Sequence, residues 1–486
     1  MPTPIATPRL GKLNPERSGA EGGVASLRQK PRLFLDVSFT MRYGLAPAVG
    51  LLRVEHYLAR ALSEDPSVDF HYVLYDSGRG AYRPLTLAEQ DFLRTILYRH
   101  ELDSEATHAP PRVPSDRISP LSGLRHQPRR TLRSRGISRV GRYLVVPLNR
   151  LGSLIRDPKA QAREAVEEMP EGGTPQFGDV LISAGDMWEY IDYSYLYRLC
   201  RRQGVSLLAV VYDVIAVELP FTTLGPPHVY HRYWVELGHI AARLLAISEH
   251  TAHRYRRVIA EPNDLTVPIT YAHLPNFLKE SAASTGEREV PNLTQRPFVL
   301  YCSTIEMRKN HQLLLHIWDR LRQELSPDDL PILVFAGKWG WNIEIVRLLV
   351  ERNWRLRPHL RILDHVCDAE LIWLYRKARF TVFPSYDEGF GLAAAESLSF
   401  GTPVIVSSSP ALIEATEGLM PSHDPYDFNA WYADIRDLAT DDTRLAILRC
   451  AAAKFRGPAY DEFAGAVCQA ACVAVSQSQN GSVSST

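Results

Sequence analysis

Short runs of aliphatic and β-branched residues recur along this chain, separated by stretches with apolar residues at helical spacing. Five runs fall in the first half, at 32–37 (RLFLDV), 70–75 (FHYVLY), 179–183 (DVLIS), 205–212 (VSLLAVVY) and 243–248 (RLLAIS). Four more follow at 297–303 (PFVLYCS), 331–337 (PILVFAG), 379–384 (RFTVFP) and 403–407 (PVIVS). Near-continuous apolar strands alternating with helices predict an α/β class, with parallel sheets covered on both faces. The stretch KESAASTGEREVPNLTQRP breaks the alternation with small, charged and proline residues. It reads as a linker, 278–296, between two α/β domains at 31–277 and 297–455.

The 486 residues exceed what one core organises, which agrees with two domains. The tails at 1–30 and 475–486 are polar and rich in small residues, a composition that predicts disorder. Fifty-five basic residues balance 55 acidic ones, so no global charge points to nucleic acid. No apolar run reaches the ~18 residues of a spanning helix, and residues 1–30 show no signal-peptide pattern. The six cysteines form no CxxC pair, which predicts reduced thiols and a cytoplasmic setting.

An irregular insertion is expected at 103–175. Within it, 124–156 holds nine arginines and no acid, followed by apolar residues from Tyr143 to Ile155. This is either a solvated loop or a basic-amphipathic patch for an anionic membrane surface or a lipid-linked phosphate. Pro128, Gly136, Gly141 and Pro147 weigh against a continuous helix. The cluster lacks interleaved stacking aromatics, so no nucleic-acid partner is expected.

Candidate chemistry concentrates in FTVFPSYDEGFGLAAAESLSFGTPVIVSS, 380–408. A buried strand ends at Pro384, and a helix starts near Gly391 after a glycine-containing loop. Ligands of open parallel sheets bind beyond the carboxyl ends of the strands, where this loop must lie. Gly389 and Gly391 allow close backbone approach, and the helix N-terminus favours phosphate. Glu388 before the helix and Glu396 inside it would flank such a phosphate, each able to accept hydrogen bonds from hydroxyls. That combination suits a sugar nucleotide. The bland alternative makes Glu388 a loop charge and Glu396 an exposed helix residue. GFGLAA also fits a dinucleotide fingerprint, but the next strand ends in serines rather than the acid that would hold ribose, and Glu414 comes only after Pro410. A second segment, YCSTIEMRKNHQLLLHIWDRL (301–321), sets Arg308 and Lys309 at a strand-to-helix turn. They are either ordinary surface charge near a helix start or, since cations there oppose the helix dipole, held for a ligand reason such as charge on a departing diphosphate.

In order, TIEMRKNHQLLL, EGFGLAAAE (388–396) and FGTPVIVSSSPALIE (400–414) resemble the retaining glycosyltransferases of family 4, which have the GT-B fold. AGKWGWNIE and the segment from Asp364 to Glu388 extend the resemblance over nearly all of 297–440. It implies that Glu388 contacts donor-sugar hydroxyls, with Gly389, Phe390, Gly391 and Leu392 around sugar and phosphate. Glu396 would hold the ribose, Lys309 assisted by Arg308 the diphosphate, and Val366 would border the nucleobase. Relatives often carry Gly-Arg where this chain has Ser303-Thr304, so Thr304 stands in a donor position without that cation.

The first domain resembles the family less closely. Gly50 and Arg53, in the segment 33–62, would face the cleft. Asp213, in VVYDVIAVELP where Tyr212 replaces a histidine of relatives, is either a catalytic residue of the cleft or a structural turn Asp; Ser248 and Glu249 would lie at the interdomain cleft. A helix after Gly457-Pro458, within 456–474, would cross back onto the first domain. The implied activity is hexosyl transfer, with retention, from a nucleoside-diphosphate sugar (GDP-mannose favoured) to a saccharide acceptor, polyprenyl-diphosphate-linked in one reading. No cofactor is expected. No Asp-x-Asp motif marks a metal-bridged diphosphate, so metal independence is expected as well. A sugar-nucleotide epimerase and a catalytically silent scaffold are the rival readings.

Overall fold

The computed structural model describes residues 31–45, 50–98, 173–185 and 187–483; the expected tail at 1–30 and the arginine-rich stretch 124–156 lie outside the described residues. The first sheet contains β1 (Arg32–Asp36), β2 (Asp69–Asp76), β3 (Ala81–Pro84), β4 (Val180–Ser183), β5 (Ser206–Val211), β6 (Arg243–Ala246) and β7 (Ile269–Tyr271). Their spatial order is β3-β2-β1-β4-β5-β6-β7, parallel throughout except for β3, which runs antiparallel to β2. The second sheet contains β8 (Phe298–Cys302), β9 (Ile332–Ala336), β10 (Leu360–Leu363), β11 (Phe380–Phe383), β12 (Val404–Ser407) and β13 (Ser422–His423). Its order is β10-β9-β8-β11-β12-β13, all parallel.

All nine apolar runs are strands. Every residue of β5 and β9 is buried, as expected where helices cover both faces. The four strands that the apolar pattern does not foresee, β3, β7, β10 and β13, are the four sheet edges. Edge strands are short and half-exposed, so they carry little of the continuous apolar signal.

The expected linker opens as a helix, Phe277–Thr285, capped by Asn276, whose Oδ1 accepts from the Lys279 amide at 2.8 Å. Leu278 is fully buried in one cluster with Trp373 and Leu374 of the helix Asp368–Lys377, which joins this segment to the second domain. The last helix, Glu462–Val483, extends past the expected disordered boundary at 475. Its Phe463, Val467 and Ala471 are buried together with Leu208 and Val210 of β5 and Leu245 of β6, so the chain returns to the first sheet. The Tyr57 hydroxyl fixes that return by accepting from the Ala464 amide at 3.2 Å. Among the described residues, no helix is long and apolar enough to cross a membrane.

Candidate active site

The carboxyl ends of β8 and β11 supply the charged centre. After β8 a single 3-10 turn, Met307–Lys309, leads through Asn310 in the left-handed region (φ 54°) into the helix His311–Leu321. Asn310 tolerates that conformation better than most residues. After β11 the loop reaches Gly391, whose φ of 109° caps the helix Leu392–Ser399. The two turns are stitched together by the Tyr386 amide donating to the Arg308 carbonyl at 2.9 Å.

Both cations at the first turn converge on one carboxylate. Lys309 Nζ lies 2.5 Å from Glu388 Oε1, and Arg308 Nη1 lies 2.7 Å from Glu388 Oε2. Arg308 also donates to the Asp387 carbonyl at 2.9 Å and pairs with Glu306 at 2.9 Å. Glu388 is 8 % exposed, not a free loop charge. Burial pushes its carboxyl up, but Arg308 and Lys309 outweigh burial and hold it down at about 2. Glu306, 2 % exposed, moves the other way, because burial outweighs the attraction of Arg308 and Lys309.

Glu396 is likewise buried rather than exposed on its helix. Its Oε2 accepts from the Tyr375 hydroxyl at 3.0 Å, and its Oε1 lies 3.6 Å from Arg53 Nη1. Arg53 also pairs with Asp368 at 2.7 Å. Burial raises the Glu396 carboxyl to about 7, against the pull of Arg53 and Tyr375. Arg53 thus reaches from the helix Leu51–Glu64 of the first domain to two carboxylates of the second. Sequence reasoning set Arg53 at the cleft but did not pair it with Glu396.

The remaining sequence-derived residues fall into three groups. Gly389, Phe390 and Leu392 lie on the donor-side loop and helix start. A Cβ on Gly389 would stand 2.0 Å from the Tyr212 carbonyl oxygen, so only glycine permits this approach of the domains. The Gly389 carbonyl accepts from Ser248 Oγ at 2.5 Å and from Thr251 Oγ1 at 2.8 Å. Asp213 serves a turn: its Oδ1 accepts from the Ile215 amide at 3.0 Å, while its charge also acts on Arg308. Tyr212 donates its hydroxyl to the Ala184 carbonyl at 2.5 Å, a structural bond. Glu249 contributes its backbone amide, which donates to Glu414 Oε1 at 2.7 Å, while its side chain stays exposed. Thr304 and Val366 are half-buried, and Gly50 caps the helix Leu51–Glu64 at φ 52°.

Three interdomain residues were not foreseen as site residues. Glu414 accepts from the Glu249 and His250 amides and lies 2.5 Å from His273 Nε2; the His273 ring stacks on Phe390 at 5.3 Å. Arg254 pairs with Asp387, next to Glu388, and with Glu218. No local spacing in LLAISEHTAHRYRR distinguishes Arg254 from its neighbouring arginines; only the fold selects it. The arrangement offers two cations and a helix N-terminus for an anion, with two carboxylates for hydroxyls. Among the described residues, no group of three or more His, Cys, Asp or Glu is arranged to hold a metal ion.

Residues 285–441 match the family model for glycosyl transferases group 1. The chain is 32 % identical over 204 residues to the O-antigen chain mannosyltransferase B of Escherichia coli, covering 42 % of this chain and 53 % of that protein. It is 28 % identical over 229 residues to the serotype-specific mannosyltransferase WbdA of Escherichia coli, covering 45 % of this chain and 28 % of that protein. The chain therefore spans about half, or less, of the curated relatives it matches. Among solved structures, sucrose-phosphate synthase from Thermosynechococcus elongatus superposes with a TM-score of 0.51 at 15 % identity, covering 94 % of this chain and all of that one. The N-terminal domain of Candida albicans trehalose-6-phosphate phosphatase gives 0.54 at 11 % identity, over 93 % and 99 % of the two chains. These likenesses concern the fold, which is GT-B.

Proposed function

We propose, proceeding from the group 1 glycosyltransferase domain that residues 285–441 form, that this protein transfers a hexosyl unit from a nucleoside-diphosphate sugar to a saccharide hydroxyl. The sugar in this reading is mannose, the donor GDP-mannose and the setting bacterial surface polysaccharide assembly. Relatives named as O-antigen mannosyltransferases support that choice.

One observation carries the reading: Glu388 is held ionised between Lys309 and Arg308 at the carboxyl ends of β8 and β11. Donor binding exchanges this ion-pair set for a matched one. Sugar hydroxyls donate to Glu388, and the diphosphate takes up Lys309, Arg308 and the amides after Gly391. As the bond to the anomeric carbon breaks, negative charge grows on the diphosphate where those cations already stand. In this reading departure and attack share one face, giving retention, and the departing phosphate oxygen accepts the acceptor proton. Lys309 and Arg308 supply charge at the leaving group, so transfer is expected to continue in EDTA. Ribose hydroxyls would donate to Glu396, with Val366 beside the base. A polyprenyl-diphosphate-linked acceptor would suit the arginines of 124–156, which would also hold the protein at an anionic membrane face.

The test is a screen of the purified chain against GDP-, UDP- and dTDP-sugars in EDTA, by ligand-detected NMR and by release of nucleoside diphosphate with and without oligomannoside acceptor. Acceptor-dependent release from one donor, lost in Lys309→Ala, supports the reading. A donor converted to its epimer without acceptor, or no donor bound at all, refutes it.

A further inference from the structure

The first domain buries two carboxylates that lie outside the site already described. Asp36, at the end of β1, accepts four hydrogen bonds. They come from the Ser38 amide at 3.0 Å, the Ser38 hydroxyl at 2.5 Å, and the hydroxyls of Tyr82 and Tyr190 at 2.8 and 2.9 Å. Glu55, on the helix Leu51–Glu64, is 0 % exposed and accepts one: the Thr40 amide donates to its Oε1 at 2.8 Å. Its Oε2 is without a partner, and so is Thr40 Oγ1, which lies close enough to act on the same carboxyl. Buried polar atoms are nearly always partnered.

The missing partner is not a bound molecule. A Cβ on Gly185, just past β4, would stand 2.3 Å from Glu55 Oε2 and 2.7 Å from Phe39 Cβ, so not even a methyl group fits there. A proton needs no room, and it removes a charge that nothing balances. Among the described residues no cation pairs with Glu55. The titratable groups that face it are Asp36, whose charge repels an ionised Glu55, and Tyr190, which burial keeps neutral. Arg42 lies over the Tyr190 ring at 4.2 Å, and Arg53 is turned to Asp368 and Glu396. His56, next on the helix, is pushed down to about 4 by burial and is uncharged at neutral pH. Burial, reinforced by Asp36, pushes the Glu55 carboxyl up to about 8 against the Thr40 hydrogen bonds. Burial raises Asp36 too, but its four donors favour the ionised form, so the pair keeps its proton on Glu55.

We propose that Glu55 is a proton-operated positioning residue for the interdomain pairs of Arg53. While it carries a proton, it ties the helix Ser38–Tyr43 to the helix Leu51–Glu64 and so sets Arg53, two residues earlier, against Asp368 and Glu396 of the second domain. Release of that proton accompanies parting of the two helices and withdrawal of Arg53. The reason is electrostatic. An ionised Glu55 beside Asp36 has no counter-charge, and a buried, unpaired charge is relieved only by water. Water reaches Oε2 only when the packing around Thr40 and Gly185 opens. The first turn of the helix Leu51–Glu64 moves with that opening, and Arg53 belongs to it. The device is independent of the sugar or acceptor that the protein uses.

Hydrogen–deuterium exchange of the full chain tests this, read by mass spectrometry from pH 5 to 9 and corrected for the intrinsic pH dependence of exchange. An opening that releases one proton becomes about tenfold more favourable per pH unit up to about 8, and levels off above it. Peptides covering 38–45 and 51–64 should therefore lose about fiftyfold in protection between pH 6 and pH 8. Peptides from the start of the helix Asp368–Lys377, which Arg53 holds, should follow the same pH dependence. Glu55→Gln keeps an oxygen for the Thr40 amide and cannot ionise, so it should abolish the slope. Arg53→Ala should leave the slope in 38–45 and 51–64 in place and uncouple the helix Asp368–Lys377 from it. Protection in the wild-type chain that is flat from pH 6 to pH 8 overturns the proposal without any variant. So does a slope that survives Glu55→Gln, a helix Asp368–Lys377 indifferent to pH, or a slope that Arg53→Ala abolishes, which would assign the proton to Glu396.

Discussion

Arg53 Nη1 lies 3.6 Å from Glu396 Oε1, an ion pair that joins the first helix after the glycine turn at Gly50 to the helix expected to carry the donor ribose. Burial keeps the Glu396 carboxyl at about 7 in the folded chain, against an ordinary value of 4.5. Between those two values the folded state holds a proton that the unfolded chain has released. The stabilising contribution is therefore complete below pH 4.5 and is lost as pH rises through about 7. Ribose hydroxyls donate more strongly to the ionised form than to the neutral acid, so donor affinity should run in the opposite direction. Calorimetric titration of the nucleoside diphosphate should show roughly tenfold tighter binding at pH 8 than at pH 6. Glu396→Gln should flatten the profile, and Arg53→Ala should move it to higher pH.

Lys309→Ala removes one of the two cations from Glu388 and from the leaving group. Loss of one preorganised charge partner typically lowers kcat by about 10²–10³. Single-turnover transfer should show that fall, with donor affinity changing far less. Lys309→Arg should rescue it incompletely, because a planar guanidinium cannot occupy the place of a compact ammonium next to Arg308.

Gly389→Ala tests the approach of the two domains. The new methyl would stand 2.0 Å from the Tyr212 carbonyl oxygen and 3.3 Å from Asp213 Cβ, so backbone must shift. We expect a loss of about 1–3 kcal/mol, read by urea unfolding. Small-angle scattering should report a larger radius as the Ser248 and Thr251 bonds to the Gly389 carbonyl break.

Glu414→Ala withdraws one carboxylate from two backbone amides and from His273. Unpaired groups at such a site cost about 1–3 kcal/mol. Burial raises the Glu414 carboxyl, but the His273 hydrogen bond and the two amides hold it below its ordinary value of 4.5. Its contribution is present above pH 4.5 and disappears as pH falls below that value. The wild type should therefore lose more stability than Glu414→Ala on acidification, as measured by thermal unfolding at pH 3.5 and 6.

The chemistry was legible where sequence and strand direction decide it together. Glu388, Glu396 and Lys309 sit just past or shortly after strand ends, and strand ends are what continuous apolar runs mark. The partners that span the domains were not legible. Arg53–Asp368, Arg254–Asp387 and Glu414–His273 join residues whose distance in sequence carries no periodicity, and only domain approach brings them together. Glu414 was read solely as an acid too late for a ribose, whereas its carboxylate accepts from the first two amides of the helix Glu249–Tyr255. The edge strands escaped for a different reason: β13 has only two residues, too few for any pattern to repeat.

The helix Glu462–Val483 has a mechanical consequence. The backbone crosses between the two sheets once ahead of Phe277 and again ahead of Glu462, and the second crossing is anchored in the core under β5 and β6. A body tethered by one covalent strand can swivel and slide; one tethered by two pivots about the line through both tethers. Relative motion of the halves is thereby reduced to something close to a single rotation, like a door on two pins. Any closure would then bring Lys309 and Glu388 along the same arc to the same register with Arg53 and Ser248.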